Sequence, residues 1–268
     1  MSPPDPFSDR CRDLLRRLEE LGSVAVAFSG GVDSTVLLHA ARRALGDRAV
    51  AVIADSPSLP RRELREAAEL AAGLGVELVR VATDELADPA YRANAGNRCY
   101  FCKAALFEVM TRWAGEHEVR TLAFGEITDD LRDDRPGARA AREFRVRAPL
   151  REAGFSKQDV RRYAREHGLP VADKPASACL SSRIPVGTEV TRERLARVEA
   201  AEEALRGTGL RQLRVRDHGD RARVEVGADE LAGARAREPQ LAALLARHGF
   251  SEFELAAYRT PGAAAASG

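Results

Sequence analysis

A five-residue apolar run, Val24-Ala-Val-Ala-Phe28, stops at Ser29-Gly-Gly-Val-Asp-Ser34, and a helical stretch follows from Thr35 to Leu45. No other feature limits the choice of fold as tightly. An apolar run without alternation fits a strand covered on both faces, as in a parallel sheet. The paired glycines allow positive φ and let a ligand approach the backbone. The helix start behind them presents free amide groups and the positive end of a dipole, which suits an anion. The spacing matches neither Gly-x-Gly-x-x-Gly nor a loop ending in Gly-Lys-Ser/Thr. Asp33 in an anion site calls for a shared cation, and Mg²⁺ carried on phosphates would supply it. The plain structural reading of these residues is a Gly-Gly turn with Asp33 capping a helix.

The pattern then repeats. Residues 49–54, 77–81 and 120–124 are further strand candidates, and 61–74 and 103–113 carry helical stripes between them. Strands alternating with helices predict an α/β, doubly wound parallel sheet. The polar segment 128–143 reads as an ordered loop near a site. Ser156 is a candidate N-cap for a helix ending near Gly168. The stretch 170–187 is rich in Pro and Ser and marks a junction. Beyond it the pattern is helix, strand, strand, helix, strand, with a hairpin signal at His218-Gly-Asp220. The expected organisation is therefore a nucleotide-type domain over 1–175, a smaller C-terminal α+β domain over 176–260, and a disordered tail over 261–268.

The chain has 42 basic and 41 acidic residues and a formal net charge of +1. That balance argues against a protein that tracks nucleic-acid backbones. Only Lys103, Lys157 and Lys174 are lysines; the other 39 basic residues are arginines, a bias read as coding composition. No stretch approaches the length of a membrane span. The first residues lack a basic region followed by an apolar run, so the cytoplasm is the expected compartment. Four cysteines are too few for a disulfide scaffold.

Three of those cysteines stand in informative surroundings. Cys179 has small neighbours and Arg183 four positions on, and a nearby cation favours the thiolate. A small buried hydrophobe is the alternative. Cys99 and Cys102 form a Cys-x-x-Cys pair just before the 103–113 helix. Such a pair serves in redox, zinc or iron–sulfur sites, and a tetrahedral zinc would need two further ligands. Cys99, Cys102 and Cys179 together could hold a [4Fe–4S] cluster with one iron open. Cys11 lies in an amphipathic N-terminal helix as a bystander.

Ser29–Ser34 is similar to the motif of PP-loop ATP pyrophosphatases, which cleave ATP between the α and β phosphates. That likeness implies pyrophosphate binding by Ser29, Gly30, Gly31, Asp33 and Ser34, adenine near Ala54, and Gly125 at the nucleotide's border. With Asn97-Arg-Cys-Tyr-Phe-Cys-Lys103, Arg135-Pro-Gly137, Val146–Leu150 and Ala178-Cys-Leu-Ser-Ser-Arg-Ile-Pro185, the chain resembles the LarE family, ATP-dependent sulfur transferases of nickel-pincer nucleotide biosynthesis. The resemblance runs from about residue 8 to 258. It implies that ATP adenylates a carboxylate of pyridinium-3,5-biscarboxylic acid mononucleotide. Cys179 then either attacks and gives up its sulfur, or joins Cys99 and Cys102 around a sulfur-delivering cluster. It also implies a homo-oligomer that uses ATP, Mg²⁺ and a small nucleotide substrate.

Charge adds further expectations. Ser182, Arg183, Arg214 and Arg216 are candidate anion ligands, with Arg214 and Arg216 on one strand face. Glu199 and Glu202 share a helix face. Glu126, Asp129 and Asp130 could order Mg²⁺ or an arginine. The alternatives are another PP-loop enzyme, either a tRNA thiolase or an ammonia-dependent ligase, or a nucleotide-binding module without chemistry.

Overall fold

The computed structural model describes residues 5–132, 136–175 and 177–258. The expected tail, together with Asp133, Asp134 and Arg135, lies outside them. The backbone divides into two compact units. The described residues up to Asp88, with Asn97–Ser177, form one; Pro89–Gly96, with the described residues from Ala178 on, form the other.

The first unit is a four-stranded parallel sheet ordered β3-β2-β1-β4, from β1 (Val24–Ala27), β2 (Ala49–Asp55), β3 (Leu78–Ala82) and β4 (Thr121–Phe124). Residue alternation divides its core. Val24, Val26, Ala49, Ala51 and Ile53 face one apolar layer with α1 (Pro6–Leu21), α2 (Val32–Leu45) and α3 (Arg61–Gly73). Ala25, Val52, Val81 and Phe124 face the other. There Phe107 and Met110 pack from α5 (Arg98–Glu116), and Ala140 and Ala141 from α6 (Pro136–Glu143). Helices cover both faces, so the strands are apolar on both sides and show no alternation. The α/β doubly wound architecture is present. The chain runs β1, β2, β3 in one direction and then crosses to the far side of β1 for β4. The reversal therefore falls between β1 and β4, where open α/β sheets bind ligands beyond the strands' carboxyl ends.

Two elements around the cysteine pair and the polar segment differ from expectation. The 103–113 helix starts earlier, at Arg98, and takes Cys99 and Cys102 into its first turns. Nothing in that stretch breaks a helix, and Tyr100 anchors it: its hydroxyl donates to Glu143 at 2.6 Å, and its ring carries the Arg139 guanidinium at 4.0 Å. The polar segment 128–143 is not all loop; a 3-10 turn over Thr128–Arg132 is followed by α6. That helix escapes notice because it buries only Gly137, Ala140 and Ala141.

Farther on, α7 (Pro149–Glu152) leads to α8 (Lys157–Glu166). Ser156 caps α8 in a capping box with Asp159, and Gly168 follows with φ +63.

The second unit holds α4 (Pro89–Arg92), α9 (Arg192–Arg206), β5 (Leu213–His218), β6 (Arg221–Val226), α10 (Leu231–Ala236), α11 (Glu238–Arg247) and β7 (Glu252–Ala257). β5 and β6 form an antiparallel hairpin through Gly219-Asp220, with Gly219 at φ +81. β7 then joins β6 in parallel. Leu205, Val215, Val224, Leu241 and Phe250 are among its core residues. Pro89–Gly96 is pinned there by Asn94, whose amide donates to the carbonyls of Pro185 and Thr188 at 2.6 and 2.9 Å. Among the described residues, no helix is long and apolar enough to cross a membrane.

Candidate nucleotide and thiol sites

The loop leaving β1 is built around its two serines. The Ser34 hydroxyl donates to the Gly31 carbonyl at 3.1 Å and lies 3.2 Å from the Ser29 hydroxyl. Gly30 has φ +67, and a Cβ there would sit 3.2 Å from the Ala67 methyl carbon. The first helical bond of α2 runs from the Thr35 amide to the Gly31 carbonyl at 3.0 Å. The N–H groups of Val32, Asp33 and Ser34 precede that bond and point out of the helix start. From the other side of the chain reversal, Gly125 follows β4 and closes against this turn. A Cβ on Gly125 would lie 2.8 Å from the Ser34 nitrogen. Ser29, Gly30, Gly31, Asp33, Ser34 and Gly125 are thus brought together. Ala54 sits at the end of β2, next to Val81 of β3.

All three lysines belong to this unit and surround this region. The Lys157 ammonium lies 2.8 Å from both Asp33 oxygens. Burial pushes the Asp33 carboxyl up, and Lys157 opposes that push. Lys174 donates to the Gly30 carbonyl and to Glu66, each at 3.2 Å. Lys103 reaches the Phe124 ring at 4.6 Å, and burial lowers its ammonium against the pull of Glu126 and Cys99. Sequence reasoning passed over these residues as candidates; the one signal that sets them apart is that they are the three lysines among 42 basic residues.

The acidic candidates have defined partners. Glu126, 6% exposed, accepts from Arg151 at 2.5 Å, and so orders an arginine. Asp129 accepts from the Lys157 backbone amide at 2.7 Å. Asp130 accepts from the Ile127 amide. An ATP phosphate chain fits this donor set: amides and a glycine cradle for the anion, and Asp33 as the oxygen ligand that would hold Mg²⁺.

In the second unit, Cys179 is exposed and precedes a 3-10 turn over Leu180–Arg183. Its carbonyl is bound by the Ser182 amide and hydroxyl, at 3.0 and 2.8 Å, and by Arg183 at 3.1 Å. Arg183 also grips the Ala178 carbonyl at 2.5 Å and pairs with Glu202 at 2.8 Å, the two side chains being 5% and 3% exposed. Its guanidinium therefore fixes the backbone around the thiol. Glu202 also accepts from the Val215 amide and from Arg206. Tyr91 reaches the same turn through Ser181 at 2.5 Å. Arg216 is held in a two-pronged pair by Glu225, both contacts 2.8 Å, and donates to the Ser182 carbonyl at 3.1 Å. Arg214 lies over the Tyr258 ring at 4.4 Å. Burial lowers its basicity, and the nearby Arg183 and Arg216 lower it further. Glu199 lies on α9, one turn before Glu202.

Cys99 is exposed and Cys102 half-buried, both in the first unit, whereas Cys179 belongs to the second. Among the described residues, no group of three His, Cys, Asp or Glu side chains is gathered to hold a metal ion.

A parallel sheet whose first strand ends in Ser-Gly-Gly-Val-Asp-Ser, with a glycine from the strand across the reversal closing on it, defines an ATP-using enzyme of the PP-loop class. The relatives agree. The chain is 28% identical to GMP synthase [glutamine-hydrolyzing] of Aeropyrum pernix, over 76% of this chain and 43% of that one. It is 36% identical to argininosuccinate synthase of Haloarcula marismortui, over 56% and 38%. No family model matches the chain. Matches that cover more of both chains narrow the assignment. Identity is 39% to pyridinium-3,5-bisthiocarboxylic acid mononucleotide synthase of Lactiplantibacillus plantarum, over 80% of this chain and 78% of that one. It is 45% to an uncharacterized protein of Synechocystis sp., over 84% of both. The chain belongs to the LarE family of ATP-dependent sulfur transferases.

Proposed function

We propose that the protein adenylates a carboxylate of pyridinium-3,5-biscarboxylic acid mononucleotide and replaces one carboxylate oxygen with the sulfur of Cys179. The Ser29–Ser34 loop and the amides at the start of α2 receive the β and γ phosphates of ATP. Mg²⁺ held by Asp33 would neutralise charge on them. Attack of the substrate carboxylate on the α phosphate releases pyrophosphate and makes AMP the leaving group. The Cys179 thiolate adds to the acyl carbon and expels AMP, giving a thioester to the protein. Loss of the Cys179 α-proton breaks the Cβ–S bond. Sulfur stays on the substrate as thiocarboxylate, and dehydroalanine remains in the chain.

The observation that carries this reading is the presentation of Cys179. The residue is exposed while its backbone is held by Arg183 and Ser182. A sulfur to be given up must be accessible, and a reacting group must be positioned. Arg214 and Arg216 supply positive charge for the substrate's phosphate and second carboxylate. Burial and the neighbouring Arg183 and Arg216 disfavour the charge on Arg214, and an arriving anion would relieve that strain.

The test is mass spectrometry of the protein after one turnover with ATP and the biscarboxylic nucleotide. The expected result is a loss of the elements of H₂S at Cys179, with pyrophosphate release retained and sulfur transfer abolished in Cys179→Ala. Thiolated product from protein of unchanged mass, and its loss in Cys99→Ala, would overturn the reading and move the sulfur source to a cysteine-bound cluster.

A further inference from the structure

The peptide between Gly30 and Gly31 is the least constrained plane of the Ser29–Ser34 loop. Gly30 stands at φ +67, and neither residue has a Cβ to oppose rotation of the plane between them. A trans peptide points its C=O and its N–H in opposite directions, so the Gly30 carbonyl decides where the Gly31 N–H faces. That N–H makes one long contact, 3.4 Å to the Ser29 hydroxyl. The carbonyl is held by a charge: the Lys174 ammonium donates to it at 3.2 Å.

Lys174 is itself fixed. Its ammonium also donates to Glu66 at 3.2 Å, and Glu66 accepts from Arg62, one turn earlier on α3, at 2.6 Å. The next residue of α3, Ala67, backs the loop, since a Cβ on Gly30 would sit 3.2 Å from its methyl carbon. Lys174 and Glu66 also line a cavity of about 640 Å³, with His39, Leu70 and Val171. No residue of Ser29–Ser34 lines that cavity, and the Lys174 side chain is 23% exposed. The ammonium is therefore reachable from a space other than the loop.

An anion site needs N–H groups turned toward the ligand. Rotating the Gly30–Gly31 plane would turn a carbonyl oxygen toward the serine hydroxyls instead, and its partial negative charge would repel a phosphate. A hydrogen bond from a charged donor is strong enough to hold one of the two orientations.

We propose that Lys174 is a positioning residue for the phosphate loop: it holds the Gly30 carbonyl so that the Gly31 N–H stays on the side of the serine hydroxyls, ready for a phosphate. Lys174 acts through the main chain and does not touch ATP in this role. The proposal rests on the ATP reading above and extends it to the group that sets the loop before ATP arrives.

The test is calorimetric titration of full-length wild type, Lys174→Ala and Lys174→Met with Mg·ATP, with folding checked by thermal melting. It is paired with amide spectra of the nucleotide-free proteins carrying isotope-labelled glycine. Lys174→Ala should weaken ATP binding by about tenfold, the size of one hydrogen bond to a charged group. The Gly31 amide signal should already be displaced in that variant without nucleotide. Ethylammonium, which carries three N–H donors and can enter through the cavity, should restore much of the affinity and return the signal. Tetramethylammonium, which has the charge but no donor, should do neither. Should Lys174→Ala fail to fold, Lys174→Met carries the binding and amide measurements, since it fills the space without the charge. Unchanged ATP affinity in the variants overturns the proposal alone. Weakened affinity with an unmoved Gly31 signal also overturns it, and makes Lys174 a direct phosphate ligand. Wild-type protein that does not bind ATP overturns the nucleotide reading and this proposal with it.

Discussion

Replacing Gly125 by alanine tests the closure of β4's exit onto the phosphate loop. The added methyl would lie 2.8 Å from the Ser34 nitrogen, 2.9 Å from the Asp33 carbonyl carbon and 3.1 Å from the Ser34 Cα, where ordinary contact begins at 3.4 Å. All three atoms are backbone, so no side chain can swing aside. Either the start of α2 or the exit of β4 must shift by roughly half an ångström. Overpacking of this kind costs about 1–3 kcal/mol. A loss of about 2 kcal/mol lowers the melting temperature by about 4–8 °C for a domain of this size. The displaced atoms belong to the amides expected to hold the phosphates. Misplacement of a positioned group by ~1 Å can cost about a hundredfold in rate, so pyrophosphate release should fall by at least about tenfold. The assay pairs pyrophosphate release with thermal melting. Gly73→Ala serves as control, since nothing lies within 4 Å of its added methyl. Gly125→Ala protein with wild-type melting and wild-type ATP use would refute the close approach of the two turns.

Other outcomes follow from the same contacts. Lys157→Gln removes the cation that opposes the upward push of burial on Asp33, so the acid limb of pyrophosphate release should move to higher pH, while Lys157→Arg retains most of the original profile. A profile unmoved by Gln would remove Lys157 from that role. Arg183→Ala leaves Glu202 buried with one partner fewer and should cost about 3 kcal/mol in urea unfolding. An unchanged midpoint would show that the pair braces nothing. His39 is pulled down to about 4 by burial, with His167 and Arg43 adding to it, so the unfolded chain binds a proton that the folded chain refuses between pH 6.5 and about 4. Stability should fall by about 1–2 kcal/mol as pH drops through that window, allowing for the half-open ring. His39→Asn should flatten the decline, and an equally steep decline in the variant would assign it to other groups.

Legibility of these features followed the range of the interactions behind them. The phosphate loop and its flanking strand could be read because a parallel-sheet strand, a Gly-Gly turn and a helix start are set within eleven residues. The Ser156 cap and the Gly219 turn are local for the same reason. The supports of the site were not legible. Lys157 meets Asp33 across 124 positions, and Lys174 meets Gly30 across 144, so only the scarcity of lysine betrayed them. The partners of Arg183 were equally hidden. The sequence places it four residues from Cys179 and gives no sign that Glu202, nineteen residues on, engages its guanidinium together with backbone carbonyls. Nothing in Pro89–Gly96 announces that it leaves its neighbours in the chain, because each anchor lies about ninety residues downstream.

That short excursion governs how the protein can be made and cut. When residues 89–96 leave the ribosome, the partners of Tyr91 and Asn94 have not been synthesised, so these side chains wait in water until the chain beyond Ser181 arrives. A fragment ending at Ser177 keeps every strand of the parallel sheet, but strands a tyrosine and an asparagine that have no home of their own. Dissection of the two halves therefore calls for a linker in place of residues 89–96, not merely a stop codon.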